Sequence, residues 1–210
     1  MGISRRTRGA AVAAVIAAGQ LLEAGVAQAA TVSVSIVNDN AFSPFKAKAQ
    51  QGDTVTWTNQ SSRQHNVTSD LGLFRSPRVD DSNTPGQHIQ PLTSYSFQFA
   101  SSGKYTYVCT LDGFRGVVVV PLKASPAAGG TTTVFTITWA TSVPAGYVED
   151  VQVKRPGGSV FKDWRVGQTG TSATFTPDRG AGTYSFQARL RNASTGVASS
   201  WAGPRTISVG

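Results

Sequence analysis

From residue 31 onward, apolar and polar positions alternate in short runs. Val32, Val34 and Ile36 share one phase, and residues 54–59 (Thr-Val-Thr-Trp-Thr-Asn) repeat the pattern. Residues 94–99 form a further run, and Tyr105, Tyr107 and Cys109 alternate with Thr106 and Val108. A period of two is that of a strand half-buried on one face. Gly52-Asp53 and Ser101-Ser102-Gly103-Lys104 separate the runs as turns, and residues 117–120 (four valines) form the next strand. A reversal at 101–104 predicts a hairpin in which Cys109 lies opposite about Ser96.

The stretch 122–130 (Leu-Lys-Ala-Ser-Pro-Ala-Ala-Gly-Gly) is small, Pro/Gly-rich and is expected to be a linker. Beyond it, Phe135, Ile137 and Trp139 share one face of a strand over 133–140, with further strands expected over 148–154, 172–176, 183–189 and 206–209. Tyr184, Phe186 and Ala188 again fall on one face. No sustained 3.6-residue period follows residue 30, so the fold class is all-β.

The first residues have a different character. Arg5, Arg6 and Arg8 precede a short apolar run and an Ala27-Gln28-Ala29 cleavage pattern, so residues 1–29 are expected to be a signal peptide. The run is too short to span a bilayer, which takes about 20 apolar residues. The expected location is secreted or extracytoplasmic, at the cell surface or in the periplasm. Exported cysteines usually pair, and Cys109 is the single cysteine. It is therefore a metal ligand, an intermolecular disulfide partner or a buried inert thiol.

Phe42-x-Pro44, Gly52-Asp53-x-Val55-x-Trp57-x-Asn59, His65-Asn66-Val67 and Gly103-x-Tyr105-x-Tyr107-x-Cys109 occur in that order. Over residues 31–121 the chain resembles a small blue (type 1) copper protein, a cupredoxin of the plastocyanin and pseudoazurin kind. Residues 131–210, with Trp139, Gly182-x-Tyr184 and Ser200-Trp201, resemble a fibronectin type III-like sandwich. These resemblances imply a Greek-key cupredoxin-like β-sandwich followed by a second, immunoglobulin/fibronectin III-like one.

A blue-copper site uses two imidazoles and a thiolate near one plane, with a weak axial ligand that is often Met. The cupredoxin resemblance implies that His65 is one imidazole and Cys109 the thiolate. It makes Asn66 the neighbour that fixes the loop and hydrogen-bonds the sulfur. Family members often continue Cys-x-x-His-Pro-x-Met-x-Gly. Here Asp112 stands in the His position, one residue is missing before Gly113, and Phe114 stands where Met would be. Two groups could fill the vacancy. Asp112 is a harder donor that disfavours Cu(I), and His88 is the only other imidazole. With the hairpin at 101–104, the loop carrying His88 would run toward the pole of Cys109.

Two functions remain open at this point. One is an exported copper-binding protein, engaged in electron transfer with a redox partner protein, whose site is incomplete or atypical. The other is a metal-free cupredoxin relic acting as a structural or adhesive cell-surface module. The residues offer no nucleophile–base pair, paired carboxylates or phosphate loop, and two histidines are too few for a multinuclear oxidase, so an enzyme is not expected. The net charge of +8 is uneven: residues 31–121 hold seven Lys/Arg against six Asp/Glu, and 122–210 hold nine against four. The basic second half suits an anionic cell-surface polymer. It lacks the aromatic–basic clustering of a nucleic-acid site, and no segment reads as transmembrane. Asn59, Asn66 and Asn192 each begin a glycosylation triplet, a pattern common by chance.

Overall fold

The computed structural model describes residues 28–76 and 88–210, so the expected signal peptide lies outside the described residues except for its last two positions. Among the described residues every regular element is a strand. None is a helix long and apolar enough to cross a membrane.

The first nine strands are β1 (Thr31–Val37), β2 (Ala41–Ser43), β3 (Lys46–Lys48), β4 (Thr54–Asn59), β5 (Val67–Ser69), β6 (Arg75–Ser76), β7 (Ser94–Gln98), β8 (Gly103–Val108) and β9 (Arg115–Val120). They form two sheets, ordered β2-β1-β4-β7 and β3-β9-β8-β5-β6. The alternation puts Val34, Ile36, Val55 and Trp57 inward from one sheet and Tyr105, Tyr107, Val118 and Val120 inward from the other. Trp57 is wholly buried; its ring stacks on Phe74 at 5.5 Å and meets Tyr107 edge-on at 5.3 Å. Each such side chain contributes about 1.5–3 kcal/mol through burial.

The hairpin expected from the turn at 101–104 does not form. Strand β7 pairs antiparallel with β4, whereas β8 pairs with β5 and β9 in the opposite sheet. Residues 99–102 cross between the sheets instead of reversing. Phe99, Ser101 and Ser102 are buried there, and the Ser102 N–H donates to the Trp139 carbonyl at 2.8 Å. Contacts with the second half of the chain replace the local turn.

That half contains β10 (Lys123–Ser125), β11 (Ala128–Gly129), β12 (Phe135–Thr138), β13 (Tyr147–Lys154), β14 (Lys162–Gln168), β15 (Ser172–Phe175), β16 (Gly182–Asn192) and β17 (Arg205–Val209). Its sheets are β10-β12-β15 and β11-β17-β16-β13-β14. The stretch 122–130 therefore supplies two short strands, because ladder hydrogen bonds are made by the backbone and small side chains do not prevent them. Phe135, Ile137, Trp139, Tyr184, Phe186 and Ala188 are all buried in one core, as their shared phase requires.

The two sandwiches meet through specific contacts. Gln51, 5% exposed, directs its Nε2 to Ser102 Oγ (3.0 Å), the Pro121 carbonyl (3.2 Å) and the Thr138 carbonyl (3.0 Å). Leu190, on β16, is buried in the core of the first sandwich.

Candidate metal centre

Three loops converge at one pole of the first sandwich. The thiol is placed by the alternation of β8, which ends at Val108 and leaves Cys109 buried at its tip. The chain then turns tightly: the Gly113 N–H donates to the Cys109 carbonyl at 2.8 Å, and the Cys109 N–H to the Phe114 carbonyl at 2.9 Å. Gly113 has φ of 80°, a left-handed conformation that glycine adopts without a Cβ clash. The missing loop residue thus gives a compact turn with Asp112 at its tip.

His65 follows the loop after β4. Its backbone exchanges two hydrogen bonds with Ile89, of 3.2 and 2.8 Å. Asn59, wholly buried, organises this loop: its Nδ2 donates to the carbonyls of Arg63 (2.7 Å) and Ile89 (2.8 Å). Asn66 joins the two loops, donating from Nδ2 to Thr110 Oγ1 and accepting from the Thr110 N–H, both at 2.8 Å. Its own N–H points at Cys109 Sγ at 3.5 Å. Asn59 and Asn66 are thereby committed inside the fold, which leaves their glycosylation triplets inaccessible in the native state.

The donor atoms of His65, Cys109 and Asp112 all lie within 4.8 Å of one another. His65 Nδ1 is 2.9 Å from Asp112 Oδ2 and 3.7 Å from Cys109 Sγ, and Sγ is 3.4 Å from the same Oδ2. A point equidistant from the three is about 2 Å from each, the length of a metal–nitrogen or metal–oxygen bond and slightly under a metal–sulfur bond. The donor set and its spacing therefore fit a metal ion. Asp112 stands on the exposed loop tip, but its side chain is only 18% exposed because it turns inward to the imidazole. Burial pushes the Cys109 thiol up, opposed by the N–H groups of Asn66, Leu111 and Asp112 and reinforced by the Asp112 carboxylate.

His88 is not part of this cluster. Its loop does return to the same pole, by the pairing of Ile89 with His65 and not by the expected hairpin. The His88 ring nitrogens are buried and have no hydrogen-bond partner among the described residues. Phe114, in the place of an axial donor, packs 4.6 Å from the Phe42 ring and edge-on to His65 at 5.4 Å, closing the site with carbon.

A further acid, Asp39, approaches from the turn between β1 and β2. Its Oδ1 is 3.6 Å from His65 Nε2, on the far side of the ring from Cys109. Hydrogen bonds keep its carboxyl below the usual carboxylate range, that from Ser61 foremost, with Ser62 and the Arg63 N–H adding and burial opposing. Sequence reasoning missed Asp39, which is 26 residues from His65 and carries no motif.

Comparison with known proteins gives matches over the first sandwich. The profile described as "Copper binding proteins, plastocyanin/azurin family" matches residues 29–120. Amicyanin-alpha of Methylorubrum extorquens is 32% identical over 108 residues, covering 51% of this chain and 86% of that protein. Amicyanin of Paracoccus denitrificans is 37% identical over 70 residues, 33% of this chain and half of that protein. Among solved structures, a purple cupredoxin from Nitrosopumilus maritimus is 26% identical with a TM-score of 0.36, covering 43% of this chain and 98% of that one. The chain belongs to the plastocyanin/azurin family of copper-binding, electron-transfer proteins.

Proposed function

We propose that the chain is an exported electron-transfer protein in which His65 Nδ1, Cys109 Sγ and the Asp112 carboxylate hold copper. The convergence of these three donor atoms on one point supports this reading most directly. Copper bound there would supply a one-electron couple between Cu(II) and Cu(I). Cys109 gives the soft donor, and the Asn66 N–H aimed at Sγ steadies charge on the sulfur. Phe42 and Phe114 keep the imidazole side apolar. Asp112 replaces the usual second imidazole with a harder oxygen, which favours Cu(II) and lowers the potential relative to a two-histidine site.

Copper titrations of wild type, Asp112→Ala and His88→Ala test the ligand set. Asp112→Ala should weaken binding by more than the roughly 10–100-fold typical of losing a residue behind a ligand, and His88→Ala should not. Weakening by His88→Ala with Asp112→Ala unchanged would reverse the assignment.

The relic reading draws on the hydrogen bond between His65 Nδ1 and Asp112, which satisfies both groups without an ion. Copper binding to the native state should raise the melting temperature. If copper leaves it unchanged, the relic reading replaces ours.

For residues 131–210 we keep the fibronectin type III-like assignment, with β10 and β11 of 122–130 completing its sheets, and for 31–121 the cupredoxin-like domain. The Tyr184 hydroxyl donates to the Gly180 carbonyl (3.0 Å) and accepts from the Arg179 N–H (2.8 Å), a corner found at the start of a late strand in immunoglobulin-like sandwiches. The redox partner is a protein. The excess positive charge of the second half draws it toward an anionic cell-surface polymer, an attraction that salt should screen.

A further inference from the structure

His65 is wholly buried, and only one of its two ring nitrogens faces Cys109 and Asp112. The other, Nε2, has no hydrogen-bond partner among the described residues. The group it faces is Asp39 Oδ1, at 3.6 Å, longer than a hydrogen bond but within ion-pair range.

The fold holds that carboxylate in place from both sides. The turn after β1 closes with the Asn40 N–H donating to the Val37 carbonyl at 3.3 Å, and its central residues Asn38 and Asp39 have φ of 52° and 56°. Two successive left-handed residues suit Asn and Asp better than other side chains with a Cβ. Asp39 then accepts hydrogen bonds from the Ser62 N–H (3.1 Å), the Arg63 N–H (3.3 Å) and the Ser62 hydroxyl (3.1 Å), all in the loop that leads to His65. The carboxylate thus ties one loop to another and is aimed at the far side of the imidazole. It stands on the side of the ring opposite to Nδ1, so it is not a fourth ligand.

We infer that Asp39 is a positioning residue of the metal centre, holding the Nε2 proton of His65 and with it the ring orientation that presents the Nδ1 lone pair to the ion. Without an ion the Asp112 carboxylate, 2.9 Å from Nδ1, competes for the single proton of a neutral imidazole; with an ion on Nδ1 the proton sits on Nε2, facing the Asp39 carboxylate. The same contact fixes the ring plane and makes Nδ1 a better donor. This rests on the reading of His65, Cys109 and Asp112 as the copper ligands.

The test compares wild type, Asp39→Gly and Asp39→Asn. Glycine accepts the left-handed turn but removes the carboxylate. Asparagine keeps the turn and an acceptor oxygen while removing the charge. Cu(I) affinity is measured by chelator competition, and the His65 Nε2 proton is followed by 15N-edited NMR in the diamagnetic Cu(I) form. We expect Asp39→Gly to weaken Cu(I) binding by about 10–100-fold and to lose the slowly exchanging Nε2 proton. Asp39→Asn should recover most of both. Should Asp39→Gly not fold, Asp39→Ser, too short to reach the ring, carries the same expectation. An Asp39→Gly protein, or the Ser variant in its place, that binds copper as tightly as wild type with an unchanged Nε2 signal overturns this inference alone. A wild type that binds no copper overturns the ligand assignment and this inference together.

Discussion

Glu149 is a buried acid with no role at the metal centre. It lies on β13 opposite Leu190 of β16, wholly buried, and neither carboxylate oxygen has a hydrogen-bond partner among the described residues. Its polar neighbours are already engaged. The Ser102 N–H bonds the Trp139 carbonyl, the Ser101 hydroxyl bonds the Ser142 carbonyl at 3.0 Å, and the Tyr105 hydroxyl bonds the Ser101 carbonyl at 2.7 Å. Burial pushes the Glu149 carboxyl well above its ordinary range, opposed by the nearby Ser102 N–H and Ser101 hydroxyl and reinforced by the adjacent Asp150 charge. The native state binds this proton more tightly than the unfolded chain. Stability from Glu149 is thus greatest below the unfolded value of about 4.3 and is lost as pH rises from there through the raised folded value. Glu149→Gln keeps the shape and removes the ionisation. From pH 4 to pH 8 the variant should gain on wild type, by about 1.4 kcal/mol for each pH unit over which the unfolded chain is ionised at 149 and the native state is not. That corresponds to about 2–4 °C in Tm per kcal/mol for a chain of this size. The assay is Tm by circular dichroism from pH 4 to 8, taken as the difference between the two proteins so that other titrating groups cancel. A difference that stays constant with pH, or grows toward low pH, would refute the reasoning.

Two further predictions concern packing. Gly116 faces Tyr107 across the β8–β9 ladder, and a Cβ at 116 would overlap the Tyr107 ring, which is buried and has no room to retreat. Gly116→Ala should therefore destabilise by about 1–3 kcal/mol in urea unfolding, as overpacking does; a neutral result would mean the strands separate easily here. Gln51→Ala should leave the Pro121 and Thr138 carbonyls without this donor, at about 1–3 kcal/mol for each one left unsatisfied. Urea unfolding followed by tryptophan fluorescence checks it, and an unchanged midpoint would contradict the role of Gln51 at the junction.

Much of the first sandwich could be read from residue phase. The alternation ending in Tyr105, Tyr107 and Cys109 already placed the thiol at a strand end, and the family motif supplied His65 and Asn66. Asp112 was visible as a residue in the second imidazole's position, although its inward turn depends on the shortened loop. The pairing of 94–99 with the strand to Cys109 was misread because two alternating runs around a Ser-Gly turn look like a hairpin. What overrides that local signal is distant: Ser101 bridges Ala140, and Ser102 bonds Trp139. The strands within 122–130 were missed because Ala, Gly and Pro dominate the stretch and carry no strand pattern, although Leu122 and Ala124 pack into the second core. Asp39 was beyond reach for a similar reason, since nothing near it in the sequence marks a residue whose partner is the far nitrogen of His65. Glu149 shares the phase of Val151 and Val153, so its burial is consistent with the alternation, but its lack of a partner is a tertiary fact.

The central claim is that Cys109 supplies a thiolate to copper in company with His65 and Asp112. Its most direct test is the visible absorption spectrum of the purified protein titrated with Cu(II), beside that of Cys109→Ser. The account predicts an intense thiolate-to-copper charge-transfer band that saturates with added copper and is absent from Cys109→Ser. A wild-type protein without that band, or a band that survives the loss of the sulfur, would contradict it.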